Sequence, residues 1–127
     1  MAAVPPVCYL STTGRKSRQS HRIEIWFVEI GSSVYLLSGN GQRSDWVRNL
    51  SADSRVLLEL PGAPVRSYDA SVGPFDDDAE VRRQADARYH PESSELTDWA
   101  RDSLVVRLDP ASSEAKGAGR VSGTAEL

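Results

Sequence analysis

Residues 12–17, Thr-Thr-Gly-Arg-Lys-Ser, bring together the groups needed to hold an anion. Gly14 lets the chain turn sharply and lets a ligand approach the backbone. Arg15 and Lys16 are adjacent cations, and Ser17 and the threonines add hydroxyls, for charge-assisted bonds to a phosphate or carboxylate. The plainer reading of the same residues is a solvated basic hairpin. The spacing is not that of the GxxxxGK[ST] phosphate loop. His21 and Arg22 follow, and on a pleated strand they point to opposite faces, so at most one can share the loop's ligand.

A second constellation is Ser38-Gly39-Asn40-Gly41, leading into Ser44-Asp45-Trp46. Free N–H groups at a helix start favour an anion or a ring carbonyl. The plainer reading is a strand-to-helix turn with Ser44 as its cap. Trp46, Trp99, Tyr89 and Tyr68 could wall a pocket for a flat ring, although each taken singly suits a core. Nucleophilic catalysis has little support: there is no GxSxG, and Cys8 lies in an apolar run with nothing to activate it. Cys8, His21 and His90 do not make a zinc-type ligand set. The acids from Asp76 to Glu80 suit a helix start, and His90 before Pro91 suits a helix end.

The elements that must position these groups follow from periodicity. Strands are expected at 7–13, 22–30, 34–38, 55–60, 64–72 and 103–108. Segment 22–30 begins as an alternation of Ile23, Ile25 and Phe27 against Arg22 and Glu24, then turns apolar on both faces from Trp26. That predicts one strand covered on both sides, by a helix or by a partner subunit. A short helix is expected after Ser44, with Trp46 and Leu50 on its buried side. A longer one is expected after an Asp76 cap, with Val81, Ala85 and Tyr89 at i, i+4 spacing. Leu96, Trp99 and Ala100 mark one or two further turns. Short strands that do not alternate with helices imply antiparallel pairing and closure as a barrel or sandwich.

At 127 residues the chain fits one domain, and 39% hydrophobic with 26% charged residues excludes a wholly disordered chain. Residues 1–109 are expected to form that domain, and 110–127, rich in Ser, Gly and Ala, a flexible tail. A net charge of −3 argues against a general polyanion binder, so no nucleic-acid partner is expected. A single cysteine cannot make an internal disulfide, no apolar run is long enough to span a membrane, and the start is a poor signal peptide. A cytoplasmic protein is therefore expected.

Taken in order, T-T-G-R-K-S (12–17), Y-L-L-S-G-N-G (35–41), D-W-V-R-N-L (45–50), A-D-S-R-V (52–56) and a late Y-H-P (89–91) resemble the deazaflavin-dependent nitroreductase family. These are small actinobacterial proteins that use coenzyme F420. The resemblance covers about residues 8–109. It implies a mainly β (α+β) fold: a split β-barrel of about six antiparallel strands with a short inserted helix and a longer late helix. It implies that Arg15, Lys16 and Ser17 hold the cofactor's phosphate and the start of its glutamate tail. Where the family usually continues with Gly and, three residues on, Arg, this chain has Arg18 and His21, and a neutral His21 would hold an anion less firmly. Ser38, Gly39, Asn40 and Gly41 match the stretch that contacts the deazaflavin ring, Trp46 and Asn49 the helix that follows, and Tyr89 a tyrosine on the substrate side.

The resemblance implies a reductase that passes hydride to a small conjugated or aromatic acceptor such as a quinone, enone or nitro compound. The cofactor carries the hard step while the protein orients it. Ser38, Tyr89, Tyr68 or solvent would supply the proton. An alternative within the same fold is an FMN- or FAD-binding reductase, since FMN also has a phosphate for the basic loop, and a non-catalytic module that holds a cofactor or haem is a further reading. The two-faced apolar segment predicts a homodimer that buries Trp26 or its neighbours.

Overall fold

The computed structural model describes residues 7–89 and 95–111. Seven antiparallel strands form one sheet in the order β2-β1-β5-β6-β7-β4-β3. The strands are β1 (Cys8–Thr13), β2 (Ser20–Ile25), β3 (Val28–Ile30), β4 (Ser33–Ser38), β5 (Arg55–Glu59), β6 (Arg66–Val72) and β7 (Leu104–Pro110). Helix α1 (Asp45–Ala52) follows a 3-10 turn at Gly41–Arg43, and α2 (Asp78–Tyr89) and α3 (Glu95–Asp102) precede β7. The split-barrel expectation holds, with one strand and one helix more than expected.

The extra strand comes from the segment expected to be a single strand over 22–30. It breaks at Trp26 and Phe27, and its halves lie at opposite edges of the sheet. β2 pairs with β1, whereas β3 pairs with β4, with Val28 opposite Tyr35. Ile23, Ile25 and Phe27 belong to the barrel interior, while Val28 and Ile30 face the cluster built on α2 and α3. The apolar run on both faces thus records a change of side as well as a helix cover. The strand buried on both faces is β4, where Val34 and Leu36 point inward and Tyr35 and Leu37 meet the helices.

The barrel interior is filled by Leu10, Phe27, Leu36, Val56, Leu58, Val106 and Leu108, with Val47 and Leu50 of α1 inserted among them. Outside the barrel, Val81 and Ala85 of α2 and Ala100 of α3 pack on Val28, Tyr35, Leu37 and Val105. Arg82 ties the two helices together by donating to the carbonyls of Ala100, Arg101 and Ser103 at 3.2, 2.8 and 2.8 Å. The Tyr35 hydroxyl donates to Asp77 Oδ2 at the head of α2.

Two expected caps differ. Helix α2 begins at Asp78, whose carboxylate accepts the Phe75 N–H at 3.1 Å, so the expected Asp76 cap is not used. Ser44 precedes α1, but its hydroxyl meets Ser38 Oγ at 2.7 Å and makes no cap bond. Strand β7 runs to Pro110 and Ala111 N–H still donates to Ser67 O at 3.1 Å, while the expected tail beyond it lies outside the described residues, as does His90.

At the break, backbone polar groups are buried without a strand partner. The Tyr89 hydroxyl supplies one, accepting from Phe27 N–H at 3.1 Å and donating to Phe27 O at 3.0 Å. Arg88 Nη1 adds a bond to Phe27 O at 3.2 Å. Replacing Tyr89 by Phe strands a buried N–H, and is expected to destabilise the fold by about 1–3 kcal/mol in urea denaturation. An unchanged midpoint and slope would show that the break does not depend on this hydroxyl.

Candidate functional site

The β1–β2 hairpin and helix α1 enclose a cleft of about 420 Å³, lined by Thr12, Gly14, Arg15, Lys16, Ser17, His21, Ile23, Asp45, Trp46 and Asn49. The hairpin is tight: Gly14 N–H donates to Gln19 O at 2.8 Å and Arg18 N–H to Gly14 O at 2.9 Å, with Arg18 at φ 62°. Ser17 Oγ accepts from Gln19 N–H at 3.2 Å and lies 3.3 Å from His21 Nε2. A Cβ on Gly14 would sit 2.5 Å from Ser17 Oγ and 2.7 Å from His21 Nε2. Glycine thus lets the hydroxyl and the imidazole close over the backbone there, and a larger residue would push those two exposed side chains aside.

Arg15 is the most restrained cation of the loop. Asn49 Oδ1 accepts its N–H at 3.2 Å and its Nη1 at 2.8 Å, and its Nη2 lies 3.5 Å from Asp45 Oδ1. Asn49 is buried and its Nδ2 donates to Thr12 Oγ1 at 3.3 Å. Lys16 and His21 are exposed at the rim. Arg22 points to the other face, as the pleat requires. Its guanidinium lies 4.1 Å from the centroid of the Tyr9 ring and pairs with Glu59 at 3.1 Å. The donor set suits phosphate and carboxylate oxygens, and Trp46 and Ile23 give the cleft an apolar wall for a ring system.

Of the expected site residues, the structure brings Arg15, Lys16, Ser17, His21 and Trp46 together in this cleft. Ser38, Gly39, Asn40 and Gly41 do not line it. They form the turn ahead of α1, where the buried Ser38 hydroxyl donates to Gly41 O at 2.8 Å and meets Ser44 Oγ. Gly39 instead approaches Trp99, whose Cδ1 would lie 3.6 Å from an added Cβ.

Tyr89, expected on the substrate side, is fully buried. It stacks on Trp26 with centroids 4.4 Å apart, Trp99 stands edge-on to both at 5.6 and 6.0 Å, and burial raises the Tyr89 pKa. Tyr68 is also buried. The Cys8 thiol is pushed up to about 12 by burial in the barrel, which keeps it protonated and unreactive near neutral pH.

Sequence reasoning left Ile23 and Asp45 out of the site, and matched Asn49 only to the helix without its bond to Arg15. Asp45, Trp46 and Asn49 share one face of α1 by their i, i+1 and i+4 spacing, but which face meets the hairpin is decided by tertiary packing. Among the described residues no group of His, Cys, Asp or Glu could hold a metal ion.

A model of the F420H2-dependent quinone reductase family matches residues 2–108, and the chain belongs to that family. No curated protein matches it. Among solved structures it is similar to an F420-H2 dependent reductase, FDR-A, with TM-score 0.67 and 19% identity over 86% of this chain and 99% of that one. A structure described as a domain-swapped dimer gives TM-score 0.67 and 19% identity, over 86% of this chain and 84% of the other. HutZ, a haem storage protein from Vibrio cholerae, gives TM-score 0.64 and 17% identity over 84% and 82%. At these identities the structural likeness establishes the fold, and the family match establishes an F420-dependent reductase.

Proposed function

We propose that this reductase holds coenzyme F420 in the cleft between the β1–β2 hairpin and α1, and reduces a small conjugated or aromatic acceptor by hydride transfer. The observation that carries the reading is the convergence of Arg15, Lys16, Ser17 and His21 on one cleft walled by Trp46. Arg15, Lys16 and Ser17 hold the phosphate and the first carboxylates of the tail, and His21 adds a hydrogen bond or, when protonated, a charge. Trp46 and Ile23 give the ring system an apolar surface and exclude water from one side. The turn at Ser38, Gly39, Asn40 and Gly41 runs into α1, and we assign it to the edge of the ring that the hairpin does not reach.

When bound in its reduced form, F420 supplies a hydride. The protein's part is to orient ring and acceptor and keep them in contact. Quinones, enones and nitro compounds are the acceptor classes we propose, since each takes a hydride into a conjugated system. The proton that completes the reduction comes from solvent: Ser38, Tyr68 and Tyr89 are buried, which favours water over any of the three hydroxyls.

We read the assembly as a cytoplasmic homodimer. The compartment is favoured by the single cysteine, and the dimer by the structural neighbour described as domain-swapped. Partial exposure of Trp26 and Trp99 also supports it. Among the described residues no helix is long and apolar enough to cross a membrane.

Two measurements test these assignments. Replacing both Arg15 and Lys16 by Ala is expected to weaken F420 binding by roughly 3–6 kcal/mol, since bonds to charged groups contribute about 1.5–3 kcal/mol each. Fluorescence titration reads this directly, and wild-type affinity in the double variant would remove the hairpin from the site. Light scattering at micromolar concentration is expected to give twice the 13.9 kDa chain mass, and a monodisperse monomer would contradict the dimer.

A further inference from the structure

Helix α1 offers Arg15 two side chains one turn apart. Asp45 and Asn49 stand at i, i+4 and share a face, yet they differ in kind. Asn49 is 5% exposed and its amide is engaged on both sides, by Arg15 and by Thr12. Asp45 is a carboxylate whose side chain is 84% exposed, and it lies 3.5 Å from Arg15 Nη2. An ion pair that open to water contributes little stability, so it exchanges readily.

We propose that Asn49 is a positioning residue that holds Arg15 toward the cleft, and that Asp45 is the carboxylate an anionic ligand displaces from the guanidinium. The proposal rests on the cleft being the F420 site, and deepens that reading by naming what sets its anion affinity.

A long arginine side chain loses rotamer freedom when it grips a ligand. Asn49 removes that cost beforehand by holding Nη1 and the Arg15 backbone N–H, leaving Nη2 with only the exposed Asp45 carboxylate at 3.5 Å to be displaced. A neutral acceptor is the right type for this role, because it orients the guanidinium without cancelling its charge. A carboxylate at 49 would make a partly buried ion pair and take the charge out of use. Asp45 does cancel part of the charge, but from the solvent side. A single weak anion must compete with it for Arg15. A ligand with several anionic groups displaces it more easily, because its other groups find Lys16 and His21 on the same cleft wall.

An alternative role for Asp45 is to favour the start of α1 through the helix dipole. That role and the proposed one differ in their dependence on Arg15.

The experiment is a fluorescence titration of oxidised F420 against wild type, N49L, D45N, R15A and the double variants R15A/N49L and R15A/D45N, at low and high salt, with melting temperatures recorded alongside. N49L is expected to weaken binding about tenfold, and D45N to tighten it roughly threefold, with a smaller gain in high salt. In the R15A background both effects are expected to vanish, because coupled residues are non-additive. Changes that persist undiminished without Arg15, or single variants within about twofold of wild type, would overturn the proposal. Should N49L fail to fold, D45N at the exposed position decides alone. An R15A variant that binds F420 as wild type does would instead remove the cleft reading itself, which separates the two failures.

Discussion

Strands β2 and β3 are consecutive in the chain and lie at the two edges of the sheet, so the backbone must cross the open side of the barrel at Trp26 and Phe27. A crossing there removes two peptide groups from the strand ladder in a buried place. Unpaired backbone groups in such a place are costly, and the Tyr89 hydroxyl bonds both the N–H and the C=O of Phe27, with Arg88 adding a second bond to the carbonyl. The same tyrosine stacks on Trp26, and its helix packs on β3 and β4. Helices α2 and α3 therefore do more than cover the outside of the sheet. Through Tyr89 and Arg88, α2 also supplies the bonds that the Phe27 peptide groups make at the crossing.

The site inherits its geometry from that interior. Val47 and Leu50 anchor α1 in the barrel, and this turns the Asp45, Trp46 and Asn49 side of the helix toward the β1–β2 hairpin. Thr12, at the end of β1, and Asn49, on α1, are 37 positions apart and are joined by one hydrogen bond. Arg15 is held from the same amide. The loop's charge is thus mounted on two rigid elements, while Lys16 and His21 remain at the rim where a flexible anionic tail can reach them.

Much of this was legible in the residues, and for identifiable reasons. The hairpin carries its chemistry in consecutive positions, so its cations, its glycine and its opposed His21 and Arg22 could be read directly. Strands β1, β4 and β5 have strong β-branched and leucine patterns and lie close to where expected. The break at Trp26 was not legible, because an apolar run on both faces looks alike whether the strand is covered twice or changes sides. The structural role of Tyr89 was not legible for a related reason: as a tyrosine in a helix stripe it carries no mark of a distant peptide group needing its hydroxyl. Asn49 could be assigned to α1, but its bond to Arg15 joins positions 34 apart and appears only once α1 is seated in the barrel. Local chemistry shows in a sequence, whereas the partner that orients it is set by tertiary packing.

The central claim is that this hairpin and helix form a site for F420 in particular. It is tested most directly by titrating the purified protein with oxidised F420 and, separately, with FMN, following fluorescence quenching. The account predicts saturable binding of F420 at micromolar concentration or below, with FMN, which lacks the glutamate tail, binding at least about tenfold more weakly. Equal or tighter binding of FMN, or no binding of F420, would contradict it.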